Sequence, residues 1–364
     1  MKKVLFVATI TKHIKTFHVP YLKWFKEQGY EVHVASKGNE TIEYCDKHFD
    51  IPFERFPLKP QNIKAYKQLK NIIEENKYEI IHCHTPVGGV LTRLAARKAR
   101  KKYNTKVIYT AHGFHFYKGA PLLNWIIYYP IEKWLSKYTD CLITINEEDY
   151  NRAKSKFKKA KKIKLVHGVG VDEYKFKQNM TKNEKINLRK ELGIEEDDFV
   201  IIYPAELSKR KNQGMLIRAI SLLSNKDKIK ILLAGKDSYK GKYQKLTKEL
   251  GLEKQIVFLG FRTDICKLMQ ISNMAVSTSR QEGLPVNIME AMFMGLPIIA
   301  TDCRGNNELI KENLVQLDDE KELAKLVNSC IEKYKENNNI SYPLLQLYKL
   351  ENVKKEMEKS YKGE

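Results

Sequence analysis

Arg280-Gln281-Glu282-Gly283-Leu284-Pro285-Val286-Asn287-Ile288-Met289-Glu290-Ala291-Met292 reads as a loop that turns into a helix. Gly283 and Pro285 suit a tight turn, and the apolar run from Val286 to Met294 reads as a helix start. A helix N-terminus offers unpaired N–H groups and a positive dipole end, a natural seat for phosphate. The two glutamates stand eight positions apart, Glu282 at the mouth of the turn and Glu290 farther along the helix. That spacing lets one carboxylate take hydroxyls of one sugar and the other those of a second. The stretch therefore predicts a ligand that carries both phosphate and sugar.

Outward from this stretch the pattern is alternating strand and helix. Lys3–Ala8, Glu31–Ala35, Glu79–Cys83, Lys106–Thr110, Cys141–Ile145 and Ile163–Val166 form one set of short apolar strands. Phe199–Tyr203, Ile229–Ala234, Ile256–Leu259, Ala275–Thr278 and Pro297–Ala300 form a second, with helical stretches between strands in both. Two such series predict two doubly wound α/β domains. The expected boundaries are 1–174, 175–340 and a C-terminal helix over 341–364 that crosses back to the first domain. The charged stretch Lys175–Arg189 reads as the linker.

At 364 residues and 43% hydrophobic content, two globular cores of ordinary size are available. No apolar run reaches the length of a membrane span, and the first residues read as a buried strand rather than a signal peptide. The six cysteines are scattered without a CxxC and read as reduced thiols. Net charge is +21, from 65 basic and 44 acidic residues. Arg93–Lys106 and Arg152–Lys164 are its two dense runs, each a solvated face or a surface for anionic lipid. Between them, Tyr117 to Tyr138 carries Trp125, Tyr128, Tyr129 and Trp134 beside Leu122, Leu123, Ile126 and Ile127. That segment reads as an interfacial amphipathic helix or a core-facing one.

Other candidate site residues follow strands. Tyr203-Pro204-Ala205-Glu206-Leu207-Ser208-Lys209-Arg210-Lys211-Asn212 is a strand running into a basic loop, where Arg210 and Lys211 can meet phosphate as charge-assisted donors. Gly235 and Arg262 follow two further strands and would line the same edge. All nine histidines lie at or before position 167. His82 and His84 share one face of a strand, and His112 stands between a strand end and a glycine. Their spacing fits no common zinc motif, so they read as imidazoles that hydrogen-bond on a cleft wall or as satisfied core histidines, with His112 the functional candidate. No P-loop, GxGxxG or Asp-x-Asp after a strand occurs, so no catalytic metal and no cofactor is expected.

Together these features resemble the retaining glycosyltransferases of family 4. Glu282-Gly283-Leu284-Pro285-Val286 through Glu290-Ala291 carries the resemblance, with Thr110-Ala111-His112-Gly113-Phe114-His115-Phe116, Gly170-Val171-Asp172 and Lys211 in support. The chain looks most like bacterial enzymes that build capsular or extracellular polysaccharide. The resemblance implies the GT-B fold, two facing Rossmann-like domains with a cleft between them. It implies a UDP-sugar donor, a hexose or N-acetylhexosamine, and a polyprenyl-linked or polysaccharide acceptor. By position, Glu282 would contact the donor sugar, Glu290 the ribose, Gly283 to Val286 (with Leu284 and Pro285) the sugar and diphosphate, Lys211 the diphosphate, and His112 the donor sugar from the first domain. Many relatives have Gly-Arg where this chain has Ala205-Glu206, which either shifts the second phosphate contact to Arg210 or gives Glu206 another job. The implied location is cytoplasmic, peripheral on the inner face of the plasma membrane.

Two other readings share some of these features. A GT-B-fold UDP-sugar epimerase would need no acceptor. A non-catalytic basic binder of membrane or nucleic acid would release no nucleotide; only Tyr103 and Phe157 interrupt the basic runs as stacking partners, and nucleic acid is not the expected partner.

Overall fold

A computed structural model describes all residues except 178, 335–339 and 341. It divides into two compact units, Met1–Val169 with Val353–Glu364, and Gly170–Asn352. The break thus falls after Val169 rather than after residue 174. The break expected after residue 340 adjoins 335–339 and 341, which lie outside the described residues. No helix among the described residues is long and apolar enough to cross a membrane.

The first unit is a seven-stranded parallel sheet. Its strands are β1 (Lys3–Ile10), β2 (Glu31–Lys37), β3 (Lys47–Asp50), β4 (Ile80–His84), β5 (Lys106–Ala111), β6 (Cys141–Thr144) and β7 (Lys162–Leu165), in the order β3-β2-β1-β4-β5-β6-β7. Val4 to Ala8 are fully buried, as expected of a central parallel strand covered on both faces. One face packs against helix Gln61–Asn76 through Ala65, Leu69 and Ile73. The other is covered by Leu22 and Phe25 of helix Val19–Glu27 and by Val353, Met357 and Tyr361 of the last helix, Leu350–Lys362. Tyr361 is pinned there by its hydroxyl, 2.9 Å from His82 Nδ1.

The second unit is a six-stranded parallel sheet of β8 (Phe199–Pro204), β9 (Ile229–Ala234), β10 (Ile256–Gly260), β11 (Met274–Ser277), β12 (Ile298–Thr301) and β13 (Leu314–Val315). Its order is β10-β9-β8-β11-β12-β13. Helix Gln213–Ser221, apolar at Met215, Leu216, Ile217, Ala219 and Ile220, fills one face with Leu323 and Val327 of helix Glu320–Tyr334. The presumed linker is largely helical. Lys182–Glu191 is a helix in the second unit, started by a capping box in which Thr181 Oγ1 accepts from the Glu184 N–H and the Glu184 carboxylate accepts from the Thr181 N–H.

In both sheets chain order reverses once, between β1 and β4 in the first and between β8 and β11 in the second. The loops leaving those strand pairs at their carboxyl ends diverge and open a crevice, where ligands of open α/β sheets bind.

Candidate active site

The second unit's crevice is flanked by the loop after β8, residues 205–212, and the loop after β11, residues 278–285. Backbone and side chains tie the two together. Arg280 N–H donates to Arg210 O at 2.8 Å, Tyr203 Oη donates to Lys211 O at 2.7 Å and lies 2.9 Å from Ser279 Oγ, and Thr278 Oγ1 donates to Asn212 O at 2.8 Å. Tyr203 and Thr278 are fully buried, so the basic loop is fixed by the core beneath it.

Glu282 is held on this base, 8% exposed. Lys211 Nζ donates to Oε1 at 2.5 Å and Arg210 Nη1 to Oε2 at 3.2 Å. Burial alone would push the carboxyl up; Lys211 and then Arg210 outweigh it and hold it below the usual carboxylate range. Arg304, which follows β12, donates from Nε to the Glu282 carbonyl at 2.9 Å. A Cβ on Gly305 would lie 2.8 Å from the Gly283 carbonyl oxygen, so the turn at Gly283 is packed against a second backbone that has no side chain.

Leu284 is buried, Pro285 stands extended at the N-cap, and Val286 opens the helix Val286–Phe293. No side chain caps that N-terminus, which leaves its N–H groups to a ligand. Glu290 lies one helical repeat on. Burial pushes its carboxyl up to about 7, only partly offset by Lys175. Gly235 ends β9 beside this loop: a Cβ there would fall 1.9 Å from the Ala205 carbonyl oxygen, so only glycine lets the two strand ends close up. Glu206 hydrogen-bonds the Ser238 hydroxyl.

Arg210, Lys211, Glu282 and Gly283–Val286 therefore come together at one crevice, with Gly235 supporting it. Arg262 does not join them. It follows β10, the edge strand two places from β8, and its guanidinium forks onto Asp264 at 2.8 and 2.5 Å. Arg304, Tyr203 and Ser279 were not singled out from sequence; a strand-end position was the one available signal.

His112 lies in the first unit, in that sheet's own crevice. His13 and His18 follow β1, His84 ends β4 and His112 follows β5. His112 Nε2 is 3.3 Å from His84 Nδ1, and the His18 and His84 rings stack at 3.8 Å. Burial lowers all four below the ordinary histidine range, His13 to about 4, so they are neutral. His82 is a different case: Nδ1 meets Tyr361 Oη and Nε2 meets Thr110 Oγ1 at 2.8 Å, which makes it a satisfied core histidine.

The basic runs are less continuous than their sequence suggests. Arg93 is 1% exposed, paired with Glu132 at 2.8 Å and stacked over Tyr109. Arg100 forks onto Asp140, Lys106 Nζ donates to the Ser360 and Tyr361 carbonyls, and Arg152 bonds Glu148 and stacks on Trp125. All six cysteines are free.

Comparison with known proteins adds the family. Residues 3–146 match the model for "Glycosyl transferase 4-like" and residues 184–343 that for "Glycosyl transferases group 1". The chain is 48% identical over 337 residues to the "Putative glycosyltransferase EpsD" of Bacillus subtilis (strain 168), covering 91% of this chain and 88% of that protein. It is 28% identical over 301 residues to an Escherichia coli UDP-Gal:alpha-D-GlcNAc-diphosphoundecaprenol alpha-1,3-galactosyltransferase, covering 79% and 76%. Among solved structures, Anabaena HepE in complex with UDP and glucose superposes with a TM-score of 0.81 at 19% identity, over the whole of both chains. The matches span both sheets and so take in each crevice, and on them the chain belongs to the 4-like, group 1 glycosyltransferases, with their GT-B fold of two Rossmann-like domains.

Proposed function

We propose that the chain is a retaining glycosyltransferase that moves a hexose or N-acetylhexosamine from a UDP-sugar to a lipid-linked or growing surface polysaccharide. The observation that carries this reading is the second unit's crevice, where Lys211 and Arg210 converge on buried Glu282 beside the uncapped N-terminus at Val286. Two cations and a helix N-terminus suit a diphosphate; a buried ionised carboxylate suits sugar hydroxyls. Glu290, protonated or ionised near neutrality, suits a ribose. The UDP and glucose in the HepE complex are in keeping with such a donor.

In this reading the leaving diphosphate takes the proton from the acceptor hydroxyl as the new glycosidic bond forms on the same face. The protein positions both partners and stabilises charge on the leaving group through Lys211, Arg210 and the helix N-terminus. The reaction calls on no resident cofactor or metal.

The acceptor side is assigned to the first unit. Helix Leu122–Leu135 exposes Leu122, Leu123, Ile126, Ile127, Ile131 and Trp134 as one stripe, while Trp125, Tyr128 and Tyr129 face the core. Beside it, Phe56 and Leu58 are exposed at the rim of an apolar groove. An unpartnered apolar stripe of this kind suits the interface of a membrane, here the inner face of the plasma membrane, from which a polyprenyl-linked acceptor is reached. The E. coli relative's diphosphoundecaprenol acceptor is consistent with that chemistry.

The test is release of free nucleotide from UDP-, GDP- and ADP-sugars, with and without a membrane lipid extract. Lipid-stimulated release from a UDP-sugar is the expected result. Conversion of the donor without acceptor would mean an epimerase, and no turnover by folded protein with any donor and acceptor would overturn the reading. Co-flotation with anionic liposomes, lost in Leu123→Glu/Ile126→Glu, checks the membrane face.

A further inference from the structure

Beyond the role the resemblance gives His112, the first unit's crevice gathers four imidazoles that the transfer reading does not use as a set. One ring nitrogen from each of His13, His18, His84 and His112 lies within 4.8 Å of those of the other three. Nε2 of His13, both nitrogens of His18 and Nε2 of His84 are buried without a hydrogen-bond partner among the described residues. His18 is 3% and His84 0% exposed. Buried polar atoms in folded proteins are nearly always paired. The same sheet pairs its other deeply buried histidines fully: His33 with Tyr78 and Glu31, His82 with Tyr361 and Thr110. The crevice histidines are thus set apart by convergence and by open lone pairs, from three separate strand ends.

We propose that His13, His18, His84 and His112 form a binding site for a divalent transition metal, with zinc as its simplest occupant. Imidazole nitrogen is the ligand type such ions take, and the set holds no carboxylate of the kind magnesium or calcium would need. Tetrahedral zinc with Zn–N bonds of about 2.0–2.1 Å spaces its ligands roughly 3.3 Å apart. His84 Nδ1 and His112 Nε2 already stand at 3.3 Å, so His84 binds through Nδ1 and its unpaired Nε2 carries the proton. The remaining contraction falls to His18 and His13. His18 has no hydrogen bond on either nitrogen to hold its ring. His13 and His112 are half-buried, and through them the ion enters.

The experiment uses the full chain without a histidine tag, stripped with chelator and titrated with zinc alone. Equilibrium dialysis is expected to give one zinc per chain and a raised melting temperature. His18→Gln and His84→Gln each weaken binding by at least about tenfold, whereas His167→Gln, outside the set, leaves it unchanged. Should either glutamine variant fail to fold, X-ray absorption at the zinc edge of the loaded wild-type chain decides the matter. A shell of three or four imidazole nitrogens supports the site. A sulfur shell from the six free thiols, an oxygen-only shell, or the absence of stoichiometric binding overturns it.

Discussion

The two sheets share one winding, with the reversal of strand order after the first strand of each, yet the crevices at those reversals are furnished oppositely. The second unit's crevice holds a charged set, Lys211, Arg210 and Glu282, laid on a fully satisfied base of Tyr203, Ser279 and Thr278. The first unit's crevice holds four neutral imidazoles, with four of their ring nitrogens buried and without a hydrogen-bond partner among the described residues. The fold thus dictates where a ligand goes, and the residue types at the strand ends dictate which ligand. Charge with a helix N-terminus selects phosphate and sugar; open imidazole lone pairs select something that accepts them.

The contrast extends to buried ion pairs. Arg93–Glu132 in the first unit is enclosed, with side chains 1% and 9% exposed, whereas Lys211–Glu282 borders its crevice. Glu132→Ala, which strands Arg93 in the core, is expected to cost about 3–5 kcal/mol. Arg93→Met/Glu132→Leu should recover most of that, read as thermal melts of the two variants side by side. If the double variant melted as low as the single, the pair would have a role beyond mutual compensation.

Lys211→Ala should reverse the pattern. Loss of a cation proposed to face a leaving diphosphate is expected to lower kcat by about 10²–10³-fold, beside a loss of stability that Arg210, still bonded to Glu282, keeps below that of Glu132→Ala, and Glu282→Ala should lower kcat in the same way. Near-wild-type turnover by either folded variant would take the second crevice out of the reaction. Gly235→Ala probes the base rather than the charges. Its Cβ meets the Ala205 carbonyl, and a clash with backbone is expected to cost about 1–3 kcal/mol. Because Ala205 and Lys211 share a loop, KM for the donor should rise as well; an unchanged melt would mean that the strand ends separate freely.

Much of this was legible in the sequence. The strands with strong apolar runs are where the alternation puts them, Lys3–Ala8 within Lys3–Ile10 and Ile229–Ala234 throughout. β3, Lys-His-Phe-Asp at an edge, and two-residue β13 carry no such run and were not read as strands. Nor could local reading find the capped helix within Lys175–Arg189, whose high charge matched a linker equally well. Glu282 and Lys211 were chosen as separate candidates, but their contact spans 71 positions and depends on β8 lying beside β11. Strand order is a tertiary fact that periodicity does not encode. The same blindness explains the basic runs: Arg93 and Arg100 look like surface charge until Glu132 and Asp140, 39 and 40 positions on, fold back against them. It also explains the histidines, whose four positions match no linear zinc spacing.

The narrowest effect, a slope with pH rather than a loss of fold or turnover, tests Glu290, whose carboxyl burial raises and Lys175 only partly offsets. Burial raises its folded-state carboxyl to about 7 from the ordinary 4.5. In the unfolded chain it ionises near 4.5, so between 4.5 and 7 the unfolded state releases a proton that the folded state retains. The stabilisation linked to this proton is fully present below 4.5 and is lost as pH rises through about 7. Wild type should therefore lose on the order of 2 kcal/mol more than Glu290→Gln between pH 5 and pH 8, read from paired denaturant melts. Bound UDP should shrink the difference if the ribose takes the carboxylate, because a hydrogen-bonded ionised form returns the pKa toward its ordinary range. Parallel pH profiles for the two proteins would mean that water already solvates Glu290, and that the second crevice is wetter at its helix than at Glu282.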